Sequence, residues 1–108
     1  ELGKVSTLQS FHAAENLLTG TFPRELLELS NLQEMNIGYN QLTGTLPTAL
    51  GRLNSLRVLW VQNNQLVGTI PTELGRLHLL NSLDVADNLL HGTLPIHLGK
   101  LSVLQYLN

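Results

Sequence analysis

The single tryptophan, Trp60, is the residue with the greatest capacity for molecular recognition, and polar residues recur at a fixed distance from it. Asn36 precedes it by 24 residues and Asp84 follows it by 24. Val58 and Tyr39 occupy neighbouring positions of the same period. An exposed tryptophan with a polar surround is typical of a binding hot spot. This spacing therefore predicts contact with a partner rather than chemistry on a covalent bond.

Acidic residues at related positions predict the charge of that partner. They outnumber the one basic residue on the same predicted face, Arg57, and are Glu15, Glu34, Asp84 and Asp87. A surface with this sign of charge favours a partner of basic character. Asp84 and Asp87 offer the oxygen ligands that calcium prefers. Two carboxylates are too few for a site, however, so we predict no metal there.

No group of residues is spaced for catalysis. A nucleophilic triad requires serine, histidine and a carboxylate in one place, and no such set shares a column of this sequence. Spacings typical of metal ligands and glycine loops typical of phosphate binding are also missing. We therefore expect a protein that is not an enzyme and that uses no cofactor.

Charge and hydropathy exclude two further classes of partner. The chain has 6 Lys plus Arg and a formal net charge of −2, whereas binding to duplex nucleic acid requires a clustered basic surface. No apolar run approaches the roughly 18 residues that a membrane-spanning helix needs. We expect neither nucleic acid nor a membrane as a partner of these residues.

A period of 24 residues organises the whole chain. The asparagines at this period are Asn16, Asn40, Asn64 and Asn88, and the prolines are Pro23, Pro47, Pro71 and Pro95. Glycines recur at Gly20, Gly44, Gly68 and Gly92. Leucines recur in three columns, which are Leu18, Leu42, Leu66 and Leu90; Leu26, Leu50, Leu74 and Leu98; and Leu32, Leu56, Leu80 and Leu104. Repetition at such a length predicts a solenoid in which each repeat packs on its neighbours and buries these leucine columns.

Each repeat contains one segment with the period of a strand and one with the spacing of a helical turn. The alternation of Leu59 and Val61 is typical of a strand with one buried face, and such strands stack in parallel into one inner sheet. We predict strands over Glu34–Gly38, Val58–Gln62 and Ser82–Ala86, and turns over Thr48–Arg52, Thr72–Arg76 and Ile96–Lys100. Leu27 replaces the glycine found at Gly51 and Gly75, which predicts a local distortion.

The recurring asparagines have a structural interpretation. Each follows a predicted strand, where the chain must turn. We expect the side-chain amides of Asn16, Asn40, Asn64 and Asn88 to bond to backbone groups that the turn leaves unpaired.

The motifs resemble a known family over the whole chain. Leu56–Leu66 follows the pattern L-x-x-L-x-L-x-x-N-x-L with Val61 at the third leucine position, and Leu42–Leu53 reads L-T-G-T-L-P-T-A-L-G-R-L. Both are similar to the plant-type leucine-rich repeat of receptor-like kinases, receptor-like proteins and polygalacturonase inhibitors. The resemblance implies a leucine-rich-repeat solenoid of the α/β type. It would be a right-handed superhelix with a parallel inner β-sheet, a short second sheet, and 3₁₀ or helical turns on the outer face. It also implies binding of peptides, proteins or co-receptors on the inner face.

The predicted function is recognition of a protein or peptide by an extracellular receptor-like or secreted protein. The residues predicted to contact the partner are Trp60, Val58, Tyr39, Asn36, Asp84, Glu34 and Arg57. A second column, on the outer surface, contains Lys4, Glu28, Arg52, Arg76 and Lys100. We interpret it as a solvated face, with an anion or polysaccharide stripe as the alternative.

The alternative function is a structural, adhesion or filament-forming rod. The chain starts within a repeat and stops within a predicted strand, and it has no cysteine-containing cap and no N-x-[ST] site. We therefore expect one segment of about 4.5 repeats from a longer array. Uncovered repeat ends also predict self-association, because solenoids normally cover their ends with polar caps.

Overall fold

Five short parallel strands form one sheet, and each strand pairs with the next one along the chain. The computed structural model describes residues 7–100 and 106–107. The strands are β1 (Ser10–His12), β2 (Glu34–Asn36), β3 (Val58–Trp60), β4 (Ser82–Asp84) and β5 (Tyr106–Leu107). Their register advances by one repeat at each step, because Asn36 pairs with Trp60 and Trp60 with Asp84. The sequence period is therefore also the period of the sheet.

The three predicted inner strands begin at the predicted residues but end two residues earlier. The last residue of β2, Asn36, accepts a hydrogen bond from the Gly38 N–H through Oδ1 at 3.1 Å. Asp84 accepts one from the Ala86 N–H at 3.1 Å in β4. In β2 and β4 these side chains stabilise the turn that follows the strand, and β3 ends at the equivalent residue, Trp60. Hydrogen bonds between repeats nevertheless continue past the strands, as from Tyr39 N to Gln62 O at 2.9 Å.

The outer face consists of short 3₁₀ helices, each of which follows a proline. They are η1 (Arg24–Glu28), η2 (Thr48–Arg52), η3 (Thr72–Arg76) and η4 (Ile96–Lys100). The last three confirm the predicted turns. Proline has no N–H to donate, but its carbonyl can accept the first bond of the turn. Pro47 O accepts from Leu50 N at 3.2 Å in this way.

Leu27 changes the packing of one turn without unwinding it. An ideal Cβ on Gly51 would lie 2.7 Å from the backbone oxygen of Glu73, and one on Gly75 would lie 2.7 Å from that of His97. Glycine thus allows η2, η3 and η4 to approach one another closely. Leu27 occupies the equivalent position of η1, and η1 contacts η2 less closely than η2 contacts η3. The distortion predicted at Leu27 is therefore a wider spacing between turns.

The leucine columns form the core between the sheet and the outer turns. Leu59 and Leu83, on the inward side of their strands, are fully buried. Other fully buried members are Leu26, Leu32, Leu50, Leu56, Leu66, Leu74 and Leu80. Leu104 lies outside the described residues.

Two leucines that we expected to be buried are not. Leu18 is 38% exposed, and Leu90 is only half-buried, whereas Leu42 and Leu66 of the same column are 2% and 0% exposed. The prediction was wrong at these two positions. Leu18 and Leu90 are the first and last members of their column among the described residues, so in this structure the column covers each of them on one side only. A leucine covered from one side keeps part of its apolar surface exposed.

A second set of parallel contacts runs beside the inner sheet. Isolated bridges join Thr21 to Thr43 and Thr45 to Val67. The short second sheet thus consists of single bridges in the described part of the chain. Gly44, with a φ of +77°, precedes one of these bridges, and an ideal Cβ there would lie 3.1 Å from Cγ2 of Thr21. Glycine therefore provides both the left-handed backbone and the close approach.

Candidate functional site

The residues predicted to bind a partner lie along the exposed side of the inner sheet. Asn36, Trp60 and Asp84 are direct neighbours on β2, β3 and β4, and all three are half-buried. With His12 of β1 they form what we call the Trp60 column. Asn108, which the sequence places in the same column, lies outside the described residues. Glu34 and Val58 pair in the next column of the sheet, two residues earlier in each strand.

Trp60 is held against the following repeat by a hydrogen bond. Its indole Nε1 donates to Oγ of Ser82 on β4 at 2.8 Å. The indole, Gln62, Ser82 and Asp84 line an open cavity of about 230 Å³ on the surface. The polar end of the indole is thus satisfied within the protein, and its remaining surface contributes to a cavity on the inner face.

The neighbours of Trp60 in this cavity include residues that we had not selected from the sequence. Ser82 and Gln62 line it, whereas Arg57 does not. Arg57 is exposed at the residue preceding β3. Ser82 stands diagonally to Trp60 in the register of β3 and β4. Diagonal neighbours in adjacent strands are within reach of an aromatic side chain, so a search across both columns would have found it.

A carboxylate and an imidazole meet at the N-terminal side of the same surface. His12 Nε2 lies 3.1 Å from Oε1 of Glu34 on the next strand, and their side chains are 56% and 47% exposed. These two residues are also diagonal neighbours in the register. Solvent screens a pair with this exposure, so its contribution to stability is small. The contact places the Glu34 carboxylate beside the imidazole of His12 rather than beside Arg57.

Tyr39 has an unusual backbone for its residue type. Its φ is +55°, and the equivalent residues Glu15, Asn63 and Asp87 have φ values of +58°, +57° and +54°. Asn and Asp tolerate this left-handed region better than other non-glycine residues do. Tyr39 is 52% exposed, so burial of its ring does not explain its presence. A strained residue that holds an aromatic ring in solvent is typical of a binding surface.

Gln62 covers the backbone next to Tyr39. An ideal Cβ on Gly38 would lie 2.8 Å from Cδ of Gln62, so the amide packs directly on the glycine. Oε1 of Gln62 is buried and has no hydrogen-bond partner. Gly38 therefore makes room for Gln62 to lie flat across the surface between Tyr39 and the Trp60 cavity.

The recurring asparagines connect consecutive repeats through their side-chain amides. Nδ2 of Asn64 donates to the Ile37 and Val61 carbonyls, each at 3.0 Å, and its Oδ1 accepts from Leu42 N at 3.0 Å. Asn40 and Asn88 make equivalent bonds. Asn16 donates to the carbonyls of its own turn and is exposed. These contacts are all with backbone groups of the solenoid.

The outer face has a separate polar cavity. It is lined by Thr72, Glu73, Gly75, Arg76, His78 and His97. Arg52 and Arg76 of the outer column are exposed, Lys4 lies outside the described residues, and so does the side chain of Lys100.

Within the described part of the chain, no three histidine or acidic side chains are placed to hold a metal ion. No described helix is long and apolar enough to cross a membrane.

The sequence pattern of the leucine rich repeat family matches residues 6–66, more than half of the chain. Together with the parallel inner sheet and the outer 3₁₀ turns, this match shows that the chain belongs to the leucine-rich-repeat family. Among curated proteins, none matches the chain.

Solved structures of plant receptor ectodomains share the fold. The plant peptide hormone receptor RGFR1, in complex with RGF2, is 32% identical with a TM-score of 0.94 over 97% of this chain and 17% of that one. The Arabidopsis receptor kinase HAESA, in complex with the peptide hormone IDA and the co-receptor SERK1, is 37% identical with a TM-score of 0.94 over 98% of this chain and 18% of that one. The BIR2 ectodomain from Arabidopsis thaliana is 33% identical with a TM-score of 0.85 over 88% of this chain and 50% of that one. The chain therefore spans at most half of these proteins.

Proposed function

We propose that this chain recognises a peptide or a protein surface on its inner face, as part of an extracellular receptor-like or secreted protein. The observation that carries the proposal is Trp60, which stands half-buried on the solvent side of the sheet beside a cavity. Tyr39 and Val58 add aromatic and apolar surface, and Asn36, Glu34 and Asp84 form the polar surround, with Arg57 exposed outside the cavity. An anchor with this surround is how hot spots at interfaces are built. The role we assign is binding and not catalysis.

The similar proteins support this function and this location. RGFR1, a plant peptide hormone receptor, was solved in complex with RGF2, and HAESA was solved with the peptide hormone IDA and a co-receptor. GASSHO1, another similar chain, is described as a plant membrane receptor kinase and was solved as its ectodomain. By analogy, we place the 108 residues within the ectodomain of a longer protein.

The test of the proposal compares the two faces of the solenoid. A random peptide library would be selected against the chain extended by polar capping repeats, and the dissociation constants of the selected peptides would be measured. We expect Trp60→Ala to weaken binding by at least about 2 kcal/mol, as truncation of a hot spot does. Arg52→Ala and Arg76→Ala, on the outer face, should each change it by less than about 0.5 kcal/mol. If the arginines matter and Trp60 does not, the binding site lies on the outer face.

A second candidate function is a structural or filament-forming rod. It is favoured by apolar surface in the first described repeat, where Leu17 is 81% exposed and Leu18 is 38% exposed. Contacts that join such ends head to tail without closing produce filaments. We expect the bare chain to self-associate through its open ends and the capped chain to be monomeric, as measured by sedimentation. A bare chain that stays monomeric, and peptides that bind the inner face, would together reject the rod.

A further inference from the structure

We infer that the side-chain amide of Gln62 binds the main chain of a peptide on the inner face, through hydrogen bonds to one peptide unit. This inference rests on the proposed function, since it names the part of the partner that this residue would contact. In the described part of the chain, only Gln62 and His97 have a buried polar side-chain atom without a hydrogen-bond partner. Of these two, Gln62 belongs to the inner face, two residues after Trp60.

The amide of Gln62 is left unsatisfied by the protein itself. It packs directly on Gly38, where an ideal Cβ would lie 2.8 Å from Cδ and 2.9 Å from Oε1 of Gln62. Oε1 is shielded from water there, and no donor takes the place of the water. A buried acceptor without a donor destabilises the folded state. A partner that draws the amide away from Gly38 and supplies a donor therefore relieves this cost on binding.

The fold does not require a glutamine at this position. The backbone of Gln62 makes the bond between repeats, because its carbonyl accepts from Tyr39 N at 2.9 Å, just as the Ala86 carbonyl accepts from Asn63 N at 3.0 Å. The side chain takes no part in that bond. The residues at the same position of the other repeats have no polar side chain and are Ala14, Gly38 and Ala86. The glutamine side chain is thus not explained by the structure of the repeat.

Gln62 lies between the two aromatic residues that we propose as contacts of the partner. Its amide covers Gly38, the residue that precedes Tyr39. On the other side, Gln62 lines the cavity beside Trp60. A peptide that contacts both aromatic residues therefore passes over Gln62, and it brings its main chain within reach of the amide.

The main chain of such a peptide needs partners that the sheet cannot supply. The strands β2, β3 and β4 are each paired on both sides, so their N–H and C=O groups are used within the sheet. The N–H and C=O groups of the peptide lose water when it lies on this surface, and each then requires a hydrogen bond. A side-chain amide has both an acceptor oxygen and N–H donors. Gln62 can therefore satisfy both groups of one peptide unit.

The first test measures the stability of the capped chain and needs no ligand. Gln62→Met keeps an unbranched, adaptable side chain and removes the unpartnered acceptor. We expect the melting temperature to rise by about 4 °C. Gln65→Met is the matched control, because Gln65 is exposed in the same repeat. It should shift the melting temperature by less than about 2 °C. If Gln62→Met lowers the melting temperature, or raises it no more than the control does, the amide is satisfied within the protein and the inference is overturned.

The second test measures whether the amide bonds to the main chain of the ligand. A peptide selected against the capped chain would be synthesised with each N–H in turn replaced by an N-methyl group, which removes a donor and keeps every side chain. At one position, this replacement should weaken binding to the unmodified chain about tenfold. The same replacement should weaken binding to Gln62→Met by less than about twofold, because the acceptor is already missing. If every N-methyl group weakens the two proteins equally, Gln62 does not bind the main chain.

The same peptides separate this inference from the proposed function. Peptides that are weakened by Trp60→Ala but bind Gln62→Met as tightly as the unmodified chain would leave the proposed function standing and reject the role of Gln62. Peptides that are insensitive to both substitutions would reject the proposed function, and the inference with it. Peptides weakened by both substitutions, with one N-methyl position that depends on Gln62, are the result that we expect.

Discussion

The asparagine column and the Trp60 column run side by side along the same solenoid, yet they differ in how the repeats use them. The asparagine column contains one residue type, and Asn40, Asn64 and Asn88 make the same backbone contacts in three successive repeats. The Trp60 column contains a histidine, an asparagine, a tryptophan and an aspartate. A position whose side chain bonds to backbone groups of the solenoid tolerates one residue type, whereas a position that faces solvent tolerates many. Variety between the repeats therefore marks the surface that is available for recognition.

The largest effect should come from the core that supports both columns. Leu83 is fully buried directly behind the sheet. Leu83→Ala should lower the free energy of unfolding by about 2–5 kcal/mol, because it removes apolar contacts and leaves a cavity. Denaturant unfolding of the capped chain, followed by circular dichroism, measures this loss. A loss below about 1 kcal/mol would mean that the repeats repack easily.

Within the asparagine column, position in the array should decide the cost of a substitution. Asn64→Ala removes the partner of Leu42 N and of the Ile37 and Val61 carbonyls in a buried region. We expect a loss of about 2–3 kcal/mol, since at least one buried polar group is left unsatisfied. Asn16→Ala is the matched control, because water can replace the bonds of that exposed side chain. Similar losses for the two variants would contradict the expectation that the buried asparagine stabilises the fold more than the exposed one does.

A stabilising substitution is expected at the edge of the recognition surface. Tyr39 has a left-handed backbone that costs most non-glycine residues about 1–2 kcal/mol. Tyr39→Asn should therefore raise the free energy of unfolding by about 1 kcal/mol, while weakening the selected peptides if the ring contacts them. The reverse exchange, Asn63→Tyr, should be destabilising by a similar amount. If thermal unfolding shows neither effect, backbone strain at this column is negligible.

The smallest effect on stability is expected in the Trp60 column itself. Asp84→Asn keeps a side-chain oxygen that can accept from the Ala86 N–H. The free energy of unfolding should change by less than about 0.5 kcal/mol, as is usual for substitutions away from core features. A larger loss would mean that Asp84 is part of the structural framework and not mainly of the binding surface.

Much of the fold was predictable because it depends on local patterns that repeat. The spacing of leucines and prolines located η2, η3 and η4, and the alternation at Leu59 and Val61 located the strands. The ends of the strands were not predictable from alternation, because the alternation of buried and exposed side chains continues past the last strand residue, as at Val61. Leu18 and Leu90 were wrongly expected to be buried, since periodicity does not show how many neighbours a repeat has.

The candidate site could be predicted less completely than the fold, because it depends more on contacts between repeats. The period alone put Asn36, Trp60 and Asp84 in one line, because residues 24 apart become neighbours in a parallel sheet in register. Only the tertiary structure showed that the indole leans towards Ser82 and that Gln62 lies on Gly38. It also separated Arg57 from the Trp60 cavity and placed His12 against Glu34. A repeat determines which residues are neighbours, but rotamers, and the space left between side chains, depend on all of the neighbours at once.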